Sequence, residues 1–188
     1  ISHLPRFQED GNATAVIIGN SIGAGKSRDE IFSIGKKLSF LSVLIGAFAG
    51  GLLLLATFTV VQQFVFPLFG LTENAQRIAT MMLCVLSAAL IGVSYNTNNI
   101  VGILRGGGDV RTGMIIDVLF MYVYAVPAAI LSGLVFKADI TLVYILIKLE
   151  EIIKVAVGFA RFISGKWIKN VTRDTEAFRN EPSENALS

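Results

Sequence analysis

Residues that can bind protons or ions stand in this sequence where little water is expected. Lys148, Glu150, Glu151 and Lys154 interrupt the apolar stretch Ile140–Ile163, and Asp117 interrupts Thr112–Phe136. Tyr95, Asn96, Asn98 and Asn99 belong to the polar run Ser94–Asn99 inside a third stretch, Ile78–Leu104. Ionisable groups in hydrocarbon are costly, so each is a functional candidate by default. Glu150 and Lys154 are four apart and share a helix face, whereas Glu151 is turned about 100° away on a 3.6-residue helix. Two chemistries fit: a buried ion pair that offsets its own desolvation, and a proton or ion relay through Glu151. The same groups could also border a cytoplasm-facing water cavity. As a lone carboxylate Asp117 suits a group that takes up and releases protons. The alternative is a carboxylate partnered by an arginine of the Arg105–Arg111 loop. Three asparagines in hydrocarbon must find hydrogen bonds, either as glue between helices or as the lining of a substrate or ion path.

The elements that position these groups follow from composition. Of 188 residues, 53% are hydrophobic and 16% charged, with a mean hydropathy of +0.66, well short of the roughly 25% charge of a soluble domain. Leu38–Thr72, Ile78–Leu104 and Val118–Phe136 carry no charge, and each is long enough to cross a bilayer core of about 30 Å as a helix. The chain reads as an integral membrane protein. Disorder, a disulfide scaffold and a soluble enzyme are excluded. Apolar segments run through Asn12–Gly25, Leu38–Phe66, Ile78–Leu104, Thr112–Phe136 and Ile140–Ile163, and helix is the default for each because lipid leaves an open sheet unsatisfied. Gly46, Gly50 and Gly51 are expected to let helices approach closely. Pro127 permits a kink of the kind that bends helices around a cavity.

Orientation follows from basic residues in the loops. Lys26, Arg28, Lys36, Lys37, Arg105, Arg111, Arg161, Lys166, Lys169, Arg173 and Arg179 lie on one side, against Arg77 and Lys137 on the other. The first side, with the C-terminus, is therefore expected to be cytoplasmic. Trp167, beside Lys166 and Lys169, reads as an interfacial anchor. Segment one is too short to span. Ile1–Asp10, with three charges, a proline and no initiating methionine, implies that something belongs upstream. Residues 171–188 read as a polar cytoplasmic tail. His3 is given no role, and Asn12 and Asn170 match the glycosylation pattern. Cys84 offers neither a disulfide nor a zinc site. No basic stripe points to nucleic acid, and no Walker loop, metal-ligand cluster or nucleophile elbow points to ATP-driven transport or to an enzyme.

Three stretches carry a family resemblance. Gly11–Ala15 with Ile18–Lys26 resembles the glycine-rich end of the eighth helix of the multidrug and toxic compound extrusion (MATE) transporters. Leu104–Arg111 (LRGGGDVR) resembles the loop after their tenth helix, and Glu150–Lys154 with Arg161–Trp167 is similar to their last helix and its exit. The resemblance implies an all-α polytopic membrane bundle. In it, residues 12–170 form most of the C-terminal six-helix lobe of a twelve-helix transporter and residues 1–11 an atypical N-terminus. It implies an antiporter exporting cationic or amphipathic small molecules for protons or sodium ions by alternating access, with no cofactor beyond that coupling ion. The implied partners are the lipid bilayer (the bacterial inner membrane), the cationic substrate and the missing N-terminal lobe. A transport-inactive truncated piece, or a half-size transporter acting as a dimer, is the alternative. One departure stands out. Family members place a cation-binding acid in helix seven, which the resemblance does not match to any segment here, and a partner acid in helix ten, and Ile78–Leu104 has none, so either the coupling site lies in the other lobe or Asp117 and Glu151 replace it.

Overall fold

The computed structural model describes residues 7–169, and among these the regular elements are helices. We number them α1 (Phe7–Gly23), α2 (Arg28–Leu68), α3 (Glu73–Leu104), α4 (Val110–Val135) and α5 (Ile140–Ile163). Three of them, α2, α3 and α4, are long and apolar enough to cross a membrane. At 17 residues α1 is short, and α5 matches a span in length with 24 residues but carries the charges noted above. The expected residues 171–188 tail, His3 and Asn170 lie outside the described residues.

Local chemistry sets the helix starts. Ser27 caps α2 in a reciprocal box: its hydroxyl accepts from the Glu30 N–H at 3.3 Å, and Glu30 accepts from the Ser27 N–H at 3.1 Å. That cap carries the helix ten residues ahead of the uncharged run at Leu38. Thr72 and Asp139 cap α3 and α5 with a single bond each, accepting from Ala75 N and Thr141 N. Gly25, at φ 71°, closes α1 with the left-handed residue such an end needs.

Two prolines are absorbed without breaking their helices. A proline ring clashes with the carbonyl four residues back and offers no N–H. Ahead of Pro67 and Pro127, Thr57–Val65 and Phe120–Ala125 widen into π-helical turns, in which Phe66 N bonds Val61 O and Val126 N bonds Met121 O. A third wide turn, Thr97–Leu104 in α3, contains no proline and carries Asn98 and Asn99. Wide turns of this kind concentrate at functional positions.

The packing has its polarity turned outward. On α2 the buried positions include Gly35, Ser39, Ser42, Gly46 and Gly50, while Phe40, Phe48, Leu52 and Phe64 are exposed. Such an apolar surface would aggregate in water; in lipid it is the solvated face, and small residues make the helix contacts. A side chain at Gly46 would meet Leu90 O of α3 at 2.9 Å, and one at Gly50 would strike Ser87 O. Gly51, expected to act alike, has nothing within 4 Å and faces outward.

A compact apolar cluster closes one end of the bundle, where Ile18, Ile31, Ile100, Ile103, Leu104, Phe162 and Trp167 meet. The expectation for Trp167 is thereby corrected. It is fully buried, stacks on Phe162 at 5.7 Å and donates from Nε1 to Phe162 O at 3.0 Å. Its chain has turned back over the α3–α4 loop, with Lys169 N bonded to Gly107 O at 2.7 Å, so the ring lies inside the fold and not at a lipid interface.

Candidate functional site

The α3–α5 contact brings together groups far apart in sequence. Gly92 and Asn96 lie one turn apart on α3. A side chain at Gly92 would meet Cβ of Glu151 at 3.5 Å, so the glycine admits α5 to close range. Asn96 then donates from Nδ2 to the Glu151 carboxylate at 2.8 Å and to its backbone carbonyl at 3.0 Å. A bond to a carboxylate is charge-assisted, about twice as strong as a neutral one. One helical turn on, Asn99 reaches the bare backbone of Gly158 in α5 and donates to the Tyr95 hydroxyl at 3.2 Å.

Glu150 points elsewhere, as the 100° rotation between neighbours requires. Its carboxylate lies 2.5 Å from Lys154 Nζ, and Lys154 also stands 3.9 Å from Asp117 of α4. Asp117 in turn faces Arg105 at 3.7 Å. The result is an alternating row, Glu150–Lys154–Asp117–Arg105, running across α5, α4 and the end of α3. Asp117 is thus not a lone carboxylate; it stands between two cations and is partly open, at 40% exposure. Lys154 and Glu150 are the enclosed members.

Asn98 is directed away from both groups. It accepts from Thr14 Oγ1 of α1 at 2.6 Å and lines a cavity of about 170 Å³ among α1, α2 and α3, beside Ser42 and Ser94. Lys148 also stands apart, over the ring of Tyr144 on its own helix. Several buried polar atoms have no partner among the described residues: Asn96 Oδ1, Asn98 Nδ2, Asn99 Oδ1 and Ser39 Oγ. A few such groups are ordinary in a native interior, but these cluster on one stretch of α3 and the face of α2 beside it.

One charged group escaped the sequence reading. Asp109, in the α3–α4 loop, is 1% exposed and accepts from Arg161 Nε at 2.8 Å and Nη2 at 2.5 Å, from Lys169 Nζ at 2.6 Å and from Thr112 Oγ1 at 2.9 Å. Burial pushes this carboxyl up, but the bonds from Lys169, Arg161 and Thr112 outweigh it and hold it below the usual aspartate range. Its partners lie 52 and 60 residues away, which left no local signal beyond an aspartate three residues before a threonine. The adjoining Arg28 donates from Nη2 to Gly165 O at 2.7 Å, so the start of α2, the α3–α4 loop and the end of α5 are stapled together.

Comparison with known proteins agrees at a coarse level. An uncharacterized transporter of Schizosaccharomyces pombe is 28% identical over 128 residues, covering 68% of this chain and 22% of the relative. The chain thus spans about a fifth of the length of the curated relative it matches. No family model matches, and no solved structure does. Among the described residues the chain is all-α, three of its helices are long and apolar enough to cross a membrane, and it is similar to a transporter.

Proposed function

We propose that this chain is the C-terminal portion of a MATE-type secondary antiporter, residues 12–170 forming most of its second lobe, in which Glu151 and Asp117 respond to the coupling ion. The observation that carries the reading is the Glu151 carboxylate held by Asn96 at the contact between α3 and α5. The net strength of that bond, about 1.5–3 kcal/mol, depends on the carboxylate being charged. Protonation of Glu151 weakens it and loosens α5 from α3. Protonation of Asp117 likewise leaves Lys154 to Glu150 alone and frees α4 from the row of charges. Each event alters a contact between helices, as alternating access requires, and an ion that binds one arrangement better than the other drives the exchange. Sodium would act at the same carboxylates by replacing the proton.

The cargo in this reading is a cationic or amphipathic compound. The C-terminal end of α5 is cytoplasmic, and in a bacterial host the membrane is the inner one. What supports the reading is the resemblance of three motifs, the excess of lysine and arginine at one end, and the likeness to a transporter. The test is Glu151→Gln in the whole protein that carries this chain, reconstituted with an imposed pH or sodium gradient and a cationic dye. Gradient-driven efflux should be lost while the protein reaches the membrane at normal levels. Efflux that persists unchanged would reduce Glu151 to a packing contact.

A further inference from the structure

A second cavity, of about 340 Å³, lies among α2, α3 and α5 and is lined by Phe32, Lys36, Ser39, Tyr95, Phe159 and Phe162, with Ile163 at its edge. Its walls are aromatic, and among the described residues its sole charged lining residue is basic. It opens sideways from the bundle: Phe159 is 51% and Ile163 57% exposed, whereas Tyr95 and Phe162 at its back are buried. Its depth in the bilayer is set by sequence. Lys36 and Lys37 are the last charges before the uncharged run Leu38–Thr72, so the ammonium group of Lys36 stands at headgroup level and the aromatic walls reach the acyl region. Lys36 Nζ lies 5.5 Å from the Phe32 ring centre, over the wall of the cavity.

Two hydroxyls along it keep a proton to donate. Ser39 is 9% exposed, lines the cavity, and its Oγ has no partner among the described residues. The Tyr95 hydroxyl accepts from Asn99, which leaves its own proton free to donate. A cavity with a cation at its mouth, free hydroxyl donors behind it and apolar walls open to lipid is complementary to an anionic amphiphile.

We infer that this cavity is a binding site for an anionic phospholipid, with the headgroup phosphate on Lys36, an ester or phosphate oxygen on Ser39 and one acyl chain along Phe159 and Ile163. Basic pockets between membrane helices hold such headgroups by the same forces. The orientation proposed above would assign the lipid to the cytoplasmic leaflet; the site itself does not depend on that.

Trp167 supplies the reporter. It is the one tryptophan of the chain and stacks on Phe162, a wall of the cavity. The whole protein that carries this chain, with any tryptophan outside the chain replaced by phenylalanine, is reconstituted in phosphatidylcholine vesicles containing a rising fraction of phosphatidylserine brominated on its acyl chains, and quenching of Trp167 is followed. A mirror series uses brominated phosphatidylcholine with plain phosphatidylserine. Half-quenching should come at an anionic fraction about 5-fold lower than the zwitterionic one, and Lys36→Gln should abolish that preference. Equal quenching by both brominated lipids overturns the proposal, and needs no variant to do so. A preference that survives Lys36→Gln overturns the assigned headgroup contact. Recovery of fluorescence on adding soluble glycerophosphate would make this a site for free phosphate esters and would also refute it. Symmetric vesicles offer phosphatidylserine on both leaflets, so failure here is separate from failure of the antiport reading, which the efflux assay measures.

Discussion

Replacing Asp109 with asparagine should cost this protein about 2–4 kcal/mol of stability. Removing one partner of a buried ion pair typically costs about 3–5 kcal/mol because a charge is left desolvated. Here the surviving partners are better placed than that: the Arg161 side chain is 25% exposed and that of Lys169 49%, so both can turn to water. The Lys169 bond, half in solvent, contributes at most about 1 kcal/mol. The forked Arg161 contact, charge-assisted and against a carboxylate 1% exposed, supplies about 1.5–3 kcal/mol. Asparagine keeps the shape and the Oδ1 acceptor for Thr112, but its amide nitrogen replaces the Oδ2 that accepts from Arg161, so the loss combines the charge with that forked bond. The assay is unfolding by sodium dodecyl sulfate in mixed micelles, read by Trp167 fluorescence and independently by circular dichroism. The pH dependence gives a second check. Asp109 is held below its ordinary value, so its contribution is complete above about pH 3.9 and is lost as the pH falls through the lower folded value. The gap between wild type and Asp109→Asn should be constant from pH 5 to 7 and close in stronger acid. A gap under about 0.5 kcal/mol at pH 7, the range of ordinary surface changes, would refute the staple.

Other expectations follow from the same contacts. Gly50→Leu should strike Ser87 O of α3 and destabilise by about 1–3 kcal/mol, while Gly51→Leu, with nothing within 4 Å, should stay within about 0.5 kcal/mol; parallel detergent unfolding of the two variants measures the contrast, and equal losses would refute the register of α2 on α3. Glu150→Gln should impair folding more than ion coupling. Because Asp117 stands 3.9 Å from Lys154 as a second counter-charge, the cost should be about 1–3 kcal/mol and should grow when Asp117→Asn is added. A double-mutant cycle on membrane levels and unfolding checks it, and strictly additive effects would show that the row does not act as a unit.

Much of this architecture was legible in the residues themselves. Hydrophobic runs of bilayer length dictate helices because lipid gives the backbone no other partner. The helix starts were not read from those runs: side-chain caps at Ser27, Thr72 and Asp139 set them, at Ser27 well ahead of the uncharged stretch. The proximity of Glu150 to Lys154 is likewise local, a consequence of 3.6 residues per turn. What the sequence could not determine is which face meets which helix. Gly50 and Gly51 are adjacent and alike, yet one is pressed against α3 and its neighbour faces outward. The asparagines read as a single run, but rotation about α3 sends Asn96 to Glu151 on α5, Asn98 to Thr14 on α1 and Asn99 to Gly158. Asp109 was passed over and Trp167 misjudged for a related reason. Both lie in short segments beside basic residues, and the return of residues 164–169 over the α3–α4 loop brings Lys169 onto Asp109 and encloses Trp167. Periodicity and composition act over a few residues and are set by the chain's own geometry. The partners of Glu151, Asp117 and Asp109 are chosen by helix packing between segments tens of residues apart, and that was decided only when the tertiary structure closed.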